Sequence, residues 1–206
     1  MDKKLYIFSV AAALIANAQS AVLIDFTNQS GIYDVKTTVD VALNDPVHSV
    51  DFIMTVTAYQ FDSAVVNLNS NAGGLGVADD SVDFDGGEII TISFNFDVDI
   101  DYIEFGGIGA ADAIDAASLK FGSDPALLLY TDQPDFAGDT DIWNPDPLYR
   151  LMAGDTIVLK AAGATGASFD LENMGVAAVP EPSYSLLLGL GGLTLLSRHK
   201  RPATKK

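Results

Sequence analysis

Alternating apolar and polar residues mark much of the chain between residues 21 and 178. The clearest case is 94–102, where the even positions are apolar and the odd positions are Asn or Asp. Because a period of two places successive side chains on opposite faces of a strand, this pattern predicts a strand with one buried and one wet face. Other runs rich in Val, Ile, Thr, Phe and Tyr predict strands at 35–41, 50–58, 89–98, 102–105, 127–130, 156–160 and 168–176.

These short strands, separated by Gly, Asn, Asp and Pro, predict an all-β domain over 21–178. The expected architecture is an antiparallel β-sandwich, jelly-roll-like, of about eight strands. Only 110–117 allows a helical turn or two outside the chain ends. The chain has no cysteine, which excludes thiolate catalysis and thiolate metal sites, and a domain of this size can build its core without disulfides.

The first 20 residues have the pattern of a secretory signal peptide. Lys3 and Lys4 precede an apolar run, and small residues follow, with Ala18 and Ser20 as alternative cleavage positions. The apolar run is too short for a stable transmembrane helix. Export across the inner membrane is therefore expected.

Residues 179–206 form a tail of three parts. Val179, Pro180, Glu181 and Pro182 make a stiff, extended strip, because proline fixes φ and biases the preceding residue toward extended backbone. An uncharged apolar run follows at 184–196. The basic cluster that ends the tail favours the cytoplasmic side of a bilayer, so the domain is expected outside, and it comprises Arg198, His199, Lys200, Arg201, Lys205 and Lys206.

This tail resembles the sorting tail of the PEP-CTERM proteins, which have a Pro-Glu-Pro signature, a short transmembrane helix and an arginine-rich end. Pro180, Glu181 and Pro182 match the signature, while lysines and one histidine stand where arginine is commoner. The resemblance implies cleavage near the signature by an exosortase-type membrane protease of Gram-negative bacteria. It also implies transient anchoring in the inner membrane, followed by transfer to the cell surface or the extracellular matrix.

The alternative interpretation of the tail is an ordinary, permanent membrane anchor. A helix over the run 184–196 would be only about 20 Å long, shorter than the ~30 Å hydrocarbon core. Gly189, Gly191 and Gly192 weaken that helix further. Both features favour a handle that is removed after sorting.

Acidic residues dominate the segment between the two ends. It holds four basic residues, Lys36, Lys120, Arg150 and Lys160, against twenty-six of the 28 acidic residues of the chain, so its formal charge is near −22. A domain this anionic repels nucleic acid and other anionic polymers unless divalent cations intervene. No nucleic-acid partner is expected.

The residues needed for catalysis are scarce. His48 is the one histidine before the tail, and its place between turn residues favours a structural role. No nucleophile elbow, zinc-binding helix motif or phosphate-binding loop is present. A glycosidase with paired carboxylates is the weaker alternative, and its candidates are Asp97, Asp99 and Asp101 on one strand, or Glu88 with Glu104. The chain is therefore expected not to be an enzyme.

Five carboxylates lie in a glycine-containing loop before a predicted strand: Asp79, Asp80, Asp83, Asp85 and Glu88. Calcium takes oxygen ligands from flexible loops, so this loop is a candidate calcium site, although the spacing is not that of an EF-hand. The alternative is a set of solvated turn aspartates. A looser cluster of similar composition comprises Asp132, Asp135, Asp139 and Asp141.

A proline-stiffened loop contains the candidate carbohydrate contacts Trp143, Asn144 and Tyr149. An exposed Trp and Tyr can stack on sugar rings, but a lone tryptophan in a sandwich more often packs in the core. Two functions therefore remain. The first is a non-catalytic surface or matrix protein that helps organise exopolysaccharide or an extracellular layer. The second is a carbohydrate-binding module or weak polysaccharide-active enzyme delivered by the same tail.

Overall fold

The computed structural model describes residues 22–34, 36–60, 64–78, 81–108, 115–129 and 141–179. These residues form one short helix, α1 (Ser30–Tyr33), and strands numbered here along the chain. The strands are β1 (Val22–Asp25), β2 (Thr38–Asp45), β3 (Val50–Gln60), β4 (Ala64–Val65), β5 (Leu68–Ser70), β6 (Leu75–Val77), β7 (Val82–Asp83), β8 (Ile89–Phe94), β9 (Val98–Gly106), β10 (Asp115–Phe121), β11 (Leu127–Leu129), β12 (Ile142–Trp143), β13 (Tyr149–Leu151), β14 (Thr156–Gly163) and β15 (Ser168–Ala178).

The strands form two antiparallel sheets, which confirms the predicted all-β class. Sheet 1 has eight strands in the order β12-β9-β15-β6-β5, with β13 also paired to β9, and with β1 and β7 also paired to β15. Sheet 2 has seven strands in the order β11-β10-β14-β8-β3-β2, with β4 also paired to β3.

Strand β15 holds sheet 1 together. One of its edges pairs with β9 over residues 170–178. The other edge pairs with β7, β6 and β1 in turn. Three short strands from distant parts of the chain are thus aligned by one long strand.

Apolar side chains from both sheets meet in one core. In β8, for example, Ile90 and Ile92 are fully buried, as the alternating pattern predicts. Phe121 of sheet 2 contacts two residues of sheet 1, with ring centroids 5.3 Å from Trp143 and 3.9 Å from Tyr149. The two sheets therefore pack face to face in a sandwich-like arrangement.

The predicted strand over 94–102 is wrong, because the chain turns inside it. β8 ends at Phe94, residues 95–97 form a bend, and β9 begins at Val98. The Asn95 N–H donates to the carbonyl oxygen of Ile53 at 3.1 Å, beyond the end of the β8 ladder. The alternation therefore spans two strands that belong to different sheets.

A β-bulge also shifts the phase of β9. In the pairing with β15, Asp101 is an extra residue between two paired positions. Ile100 is buried before the bulge, whereas Ile103 and Phe105 are buried after it. Because a bulge adds one residue to one strand, it exchanges the inward and outward positions.

The described strands outnumber the eight expected, since several are only two or three residues long. Such strands are too short to show a period of two. Asp115–Phe121 also forms a strand where 110–117 allowed a helical turn. Its Asp-Ala-Ala start has low β propensity, but β10 pairs with β14 on one edge and β11 on the other.

Candidate functional site

A groove crosses the outer face of sheet 2. It has a volume of about 630 Å³ and extends from the β7–β8 loop across β3, β8 and β14. We call it the sheet 2 groove. Side chains that line it include Tyr59, Gln60, Phe84, Glu88, Ile89 and Lys160.

Two rows of side chains cross the sheet at this groove. The strand register places residues opposite one another on β3, β8, β14 and β10. The first row is Tyr59, Ile89, Lys160 and Ser118, and the second is Thr57, Thr91, Val158 and Lys120. The surface thus combines an aromatic and aliphatic part with hydroxyl and ammonium groups.

The β7–β8 loop is fastened to the sheet by its own carboxylates. Glu88 is only 4% exposed; its Oε2 accepts the Asp83 N–H at 2.9 Å, and its Oε1 lies 3.4 Å from the Gln60 amide nitrogen. Asp85 accepts the Gly166 N–H at 3.0 Å. These bonds fix the wall of the groove that contains Phe84.

The calcium prediction rests on five carboxylates, of which Asp79 and Asp80 lie outside the described residues. Asp83 accepts a hydrogen bond from the Ser81 hydroxyl at 2.9 Å. Asp85 and Glu88 accept backbone N–H groups that hold the β7–β8 loop. Within the described ranges, no group of three or more His, Cys, Asp or Glu side chains is placed to hold a metal ion. Calcium in this loop stays a prediction.

Two lysines lie at the groove or beside it. Lys120 and Lys160 are exposed, and neither forms an ion pair with any residue that the structure describes. Both line a second depression of about 300 Å³ beside the groove, and Lys160 lines the groove as well. In contrast, Arg150 binds Asp99, and the Lys36 ammonium donates to a backbone carbonyl at 2.6 Å.

The predicted carbohydrate contacts do not form one surface. Trp143 is 2% exposed and packs in the core against Phe121. Tyr149 stacks on the same phenyl ring, and burial together with the hydrogen bond to Asp124 raises its pKa to about 12. Of the three, Asn144 is exposed, Tyr149 is half-buried and Trp143 is buried. The sheet 2 groove also presents aromatic side chains, those of Tyr59 and Phe84.

The candidate paired acids are engaged in structural contacts. The Arg150 guanidinium binds both carboxylate oxygens of Asp99, with Nη2 at 3.1 Å from Oδ2. Asp97 accepts the Ala153 N–H at 2.8 Å. Glu104 of sheet 1 accepts the Asn173 amide at 2.7 Å, whereas Glu88 borders the groove of sheet 2. Asp101 is the bulge residue of β9.

His48 lies in the turn between β2 and β3, where it contacts the buried Asp45. The Asp45 carboxylate is 0% exposed and accepts three backbone N–H groups, from Val47, His48 and Ala178, at 2.9, 3.1 and 3.0 Å. Nδ1 of His48 lies 2.8 Å from the same carboxylate. Burial acts to raise the pKa of Asp45, but these hydrogen bonds outweigh it, and the pKa is lowered.

An acidic cluster covers part of sheet 1 and consists of Glu104, Asp141, Asp170 and Glu172. Burial raises the pKa of Glu172, and the neighbouring carboxylates of the cluster raise it further. Burial also raises the pKa of Asp141, against the hydrogen bonds from Gly107 and Ile108. The other members of the second predicted acidic cluster, Asp132, Asp135 and Asp139, lie outside the described residues.

Replacing Glu172 with glutamine is expected to stabilise the domain at neutral pH. Since the folded pKa is raised, the folded state holds this proton more tightly than the unfolded state, and stability is lost as pH rises above the ordinary value of 4.5. The gain should be below about 1 kcal/mol, because the side chain is partly exposed, and it should vanish in acid. Thermal melts at pH 7 and pH 4 measure it.

The matched control for this variant is Asp146→Asn, which removes one negative charge at an exposed position. It should change the melting temperature less than Glu172→Gln at neutral pH. If the two variants change the melting temperature equally at both pH values, the gain does not come from the burial of Glu172 among neighbouring carboxylates.

The predicted sorting tail lies outside the described residues, except for Val179. Its backbone N–H donates to the carbonyl oxygen of Asp97 at 2.9 Å. Also outside the described residues are the predicted signal peptide over 1–20, the apolar run 184–196, and Pro180, Glu181 and Pro182. Among the described residues, no helix is long and apolar enough to cross a membrane.

Comparison of the chain with protein-family models, with curated proteins and with solved structures finds no match. The resemblance of the tail to PEP-CTERM proteins stays a prediction from residues 179–206.

Proposed function

We propose that the chain is an exported, non-catalytic protein of the cell surface or extracellular matrix of a Gram-negative bacterium. It is sorted to the exopolysaccharide system through the signature at Pro180, Glu181 and Pro182. The observation that carries the proposal is the order of the tail: the proline strip, the apolar run 184–196 and the basic cluster. The proposed partners are an exosortase-type membrane protease and, before cleavage, the inner membrane.

The end of β15 supports a cleavage that leaves the domain intact. The carboxylate of Asp45 holds Ala178, and the carbonyl of Asp97 holds Val179. Pro180 is the next residue. Cleavage beyond Pro182 therefore removes none of the backbone pairs that the described strands make.

The engaged carboxylates support a non-catalytic role. A glycosidase needs one carboxyl group that protonates the leaving oxygen and another that attacks or activates water. Asp99 is held by Arg150, Glu104 binds Asn173, and Glu88 fastens a loop. These side chains stabilise the fold, and their bonds would have to break before they took part in catalysis.

A carbohydrate-binding module is the second candidate, and the sheet 2 groove is the observation that favours it. Binding sites for small ligands are concave, with apolar walls and a few polar groups that orient the ligand. Tyr59, Ile89 and Phe84 supply the apolar part, while Gln60 and Lys160 supply the polar part. This candidate requires the same export route.

The sorting proposal predicts that protein recovered from the cell surface or matrix lacks the tail. Mass spectrometry of its carboxyl end should find no residues beyond about Pro182. A variant with alanine at positions 180, 181 and 182 should instead keep its tail and remain in the inner membrane.

The matched control is Thr204→Ala, which alters the basic end without touching the signature, and it should be processed normally. Surface protein that carries an intact tail would show that the run 184–196 is a permanent anchor.

A further inference from the structure

We propose that the sheet 2 groove binds an oligosaccharide that carries a carboxylate group. A neutral sugar ring lies against Tyr59 and Phe84, and the carboxylate of a neighbouring sugar lies beside Lys160 and Lys120. This inference rests on the proposed function, because it specifies the ligand of the carbohydrate-binding candidate.

The loop end of the groove fits the face of a sugar ring. Phe84 is 40% exposed although it is a large apolar side chain, and the loop that holds it is fastened by Glu88. Tyr59 and Ile89 face the groove from adjacent strands and are half-buried. Aromatic rings present a rigid apolar face to C–H groups, and the tyrosine hydroxyl adds a polar contact.

The Lys160 end of the groove, together with the adjoining depression, fits an anion. Lys160 on β14 and Lys120 on β10 are diagonal neighbours across paired strands, a separation of about 7–8 Å between Cα atoms. The formal charge near −22 repels long anionic polymers, but salt screens carboxylates farther than about 8 Å from a short ligand, whereas the two lysines contact it directly. Neither lysine forms an ion pair with a described residue. A ligand carboxylate between them would accept charge-assisted hydrogen bonds from both ammonium groups.

The distance between the two ends sets the size of the ligand. From Tyr59 on β3 to Lys120 on β10 the path crosses three strand spacings, or about 14 Å. The groove and the adjoining depression together follow this path, since Lys160 lines both. A short oligosaccharide therefore reaches the aromatic end and the lysine end at the same time.

The test uses the full chain, purified in mild detergent, and titration calorimetry. The probes are oligosaccharides of glucuronate, galacturonate and mannuronate, some alternating with neutral sugars, each paired with its carboxyl-reduced form. We expect at least one acidic probe to bind, and its reduced form to bind about tenfold more weakly. Binding should persist in EDTA, because the lysines contact the carboxylate directly. If no acidic probe binds, if the reduced form binds equally well, or if EDTA abolishes binding, the inference is overturned.

Variants locate the bound ligand. Lys160→Gln and Phe84→Ala should each weaken binding about tenfold, and the lysine variant should also reduce its salt dependence. The matched control is Lys36→Gln, which removes the same charge before β2, outside the groove, and should bind like the wild type. Tyr59→Ala tests the same surface, and Tyr59→Phe keeps the ring if the alanine variant fails to fold. If all groove variants bind the acidic probe as tightly as the wild type, the ligand does not bind in the sheet 2 groove and the inference is rejected.

The outcomes for binding and sorting are separable. Processed surface protein that binds no acidic oligosaccharide would reject the ligand and leave the sorting proposal standing. Specific binding by a protein whose tail is never cleaved would do the reverse.

Discussion

Replacing Asp45 with alanine is expected to lower the free energy of unfolding by about 3 kcal/mol. The substitution removes the common acceptor of three backbone N–H groups, at Val47, His48 and Ala178, in a fully buried position. Buried donors without an acceptor each carry a desolvation penalty. It also detaches the β2–β3 turn of sheet 2 from the end of β15 in sheet 1. Urea unfolding followed by circular dichroism measures the change.

The control for this variant is Asp51→Ala, on the same hairpin. Asp51 is exposed and accepts a hydrogen bond from Asn44, so its loss should cost no more than about 0.5 kcal/mol. If the two alanine variants unfold at the same urea concentration, Asp45 does not link the sheets.

Low pH should weaken the hydrogen bonds that the Asp45 carboxylate accepts. Because the pKa of Asp45 is lowered in the folded state, its contribution to stability is present above the ordinary value of 3.8 and is lost as pH falls below it. The wild type should therefore lose more stability in this range than Asp45→Asn does.

Replacing Trp143 with alanine is expected to destabilise the domain by about 4 kcal/mol. The indole is buried between the sheets against Phe121, which also stacks on Tyr149. Removing it leaves a cavity at the contact of β10 with β12 and β13, and the neighbouring rings lose their packing partner. Chemical unfolding of the full chain in mild detergent measures the loss.

The adjacent Asn144→Ala variant is the control, because this side chain is exposed and its removal should leave stability within about 0.5 kcal/mol of the wild type. A Trp143→Ala protein of unchanged stability that no longer binds saccharide would contradict the packing role. It would restore the indole as a ligand contact.

The all-β class of the fold can be predicted from the sequence, but which residues of the central strand β9 face the core cannot. Alternation along β8 gives the correct buried face, since Ile90 and Ile92 face the core. In β9 the same reasoning fails after Asp101, because a bulge depends on pairing with β15 rather than on the residues of β9 alone. Strands of two or three residues leave no periodic signal at all.

The tail signature and the sheet 2 groove also differ in how far the sequence predicts them. The tail signature is contiguous at 180–182 and can be identified from sequence alone. The sheet 2 groove combines side chains from β3, β8, β14 and a loop, so it depends on strand order and register. Alternation along β3 and β14 predicts that the side chains of Tyr59 and Lys160 point outward. No sequence pattern, however, places these strands close together in one sheet.

Strand β15 is the last described strand to leave the ribosome, and β9, β7, β6 and β1 all pair with it. Sheet 1 therefore stays incomplete through nearly all of synthesis, because the template that aligns its strands has not yet been made. An export channel threads unfolded chains, so a domain that cannot finish folding early remains fit for translocation. In the proposed export route, β15 is the last described strand to cross the membrane before the apolar run 184–196, so sheet 1 can be completed only outside.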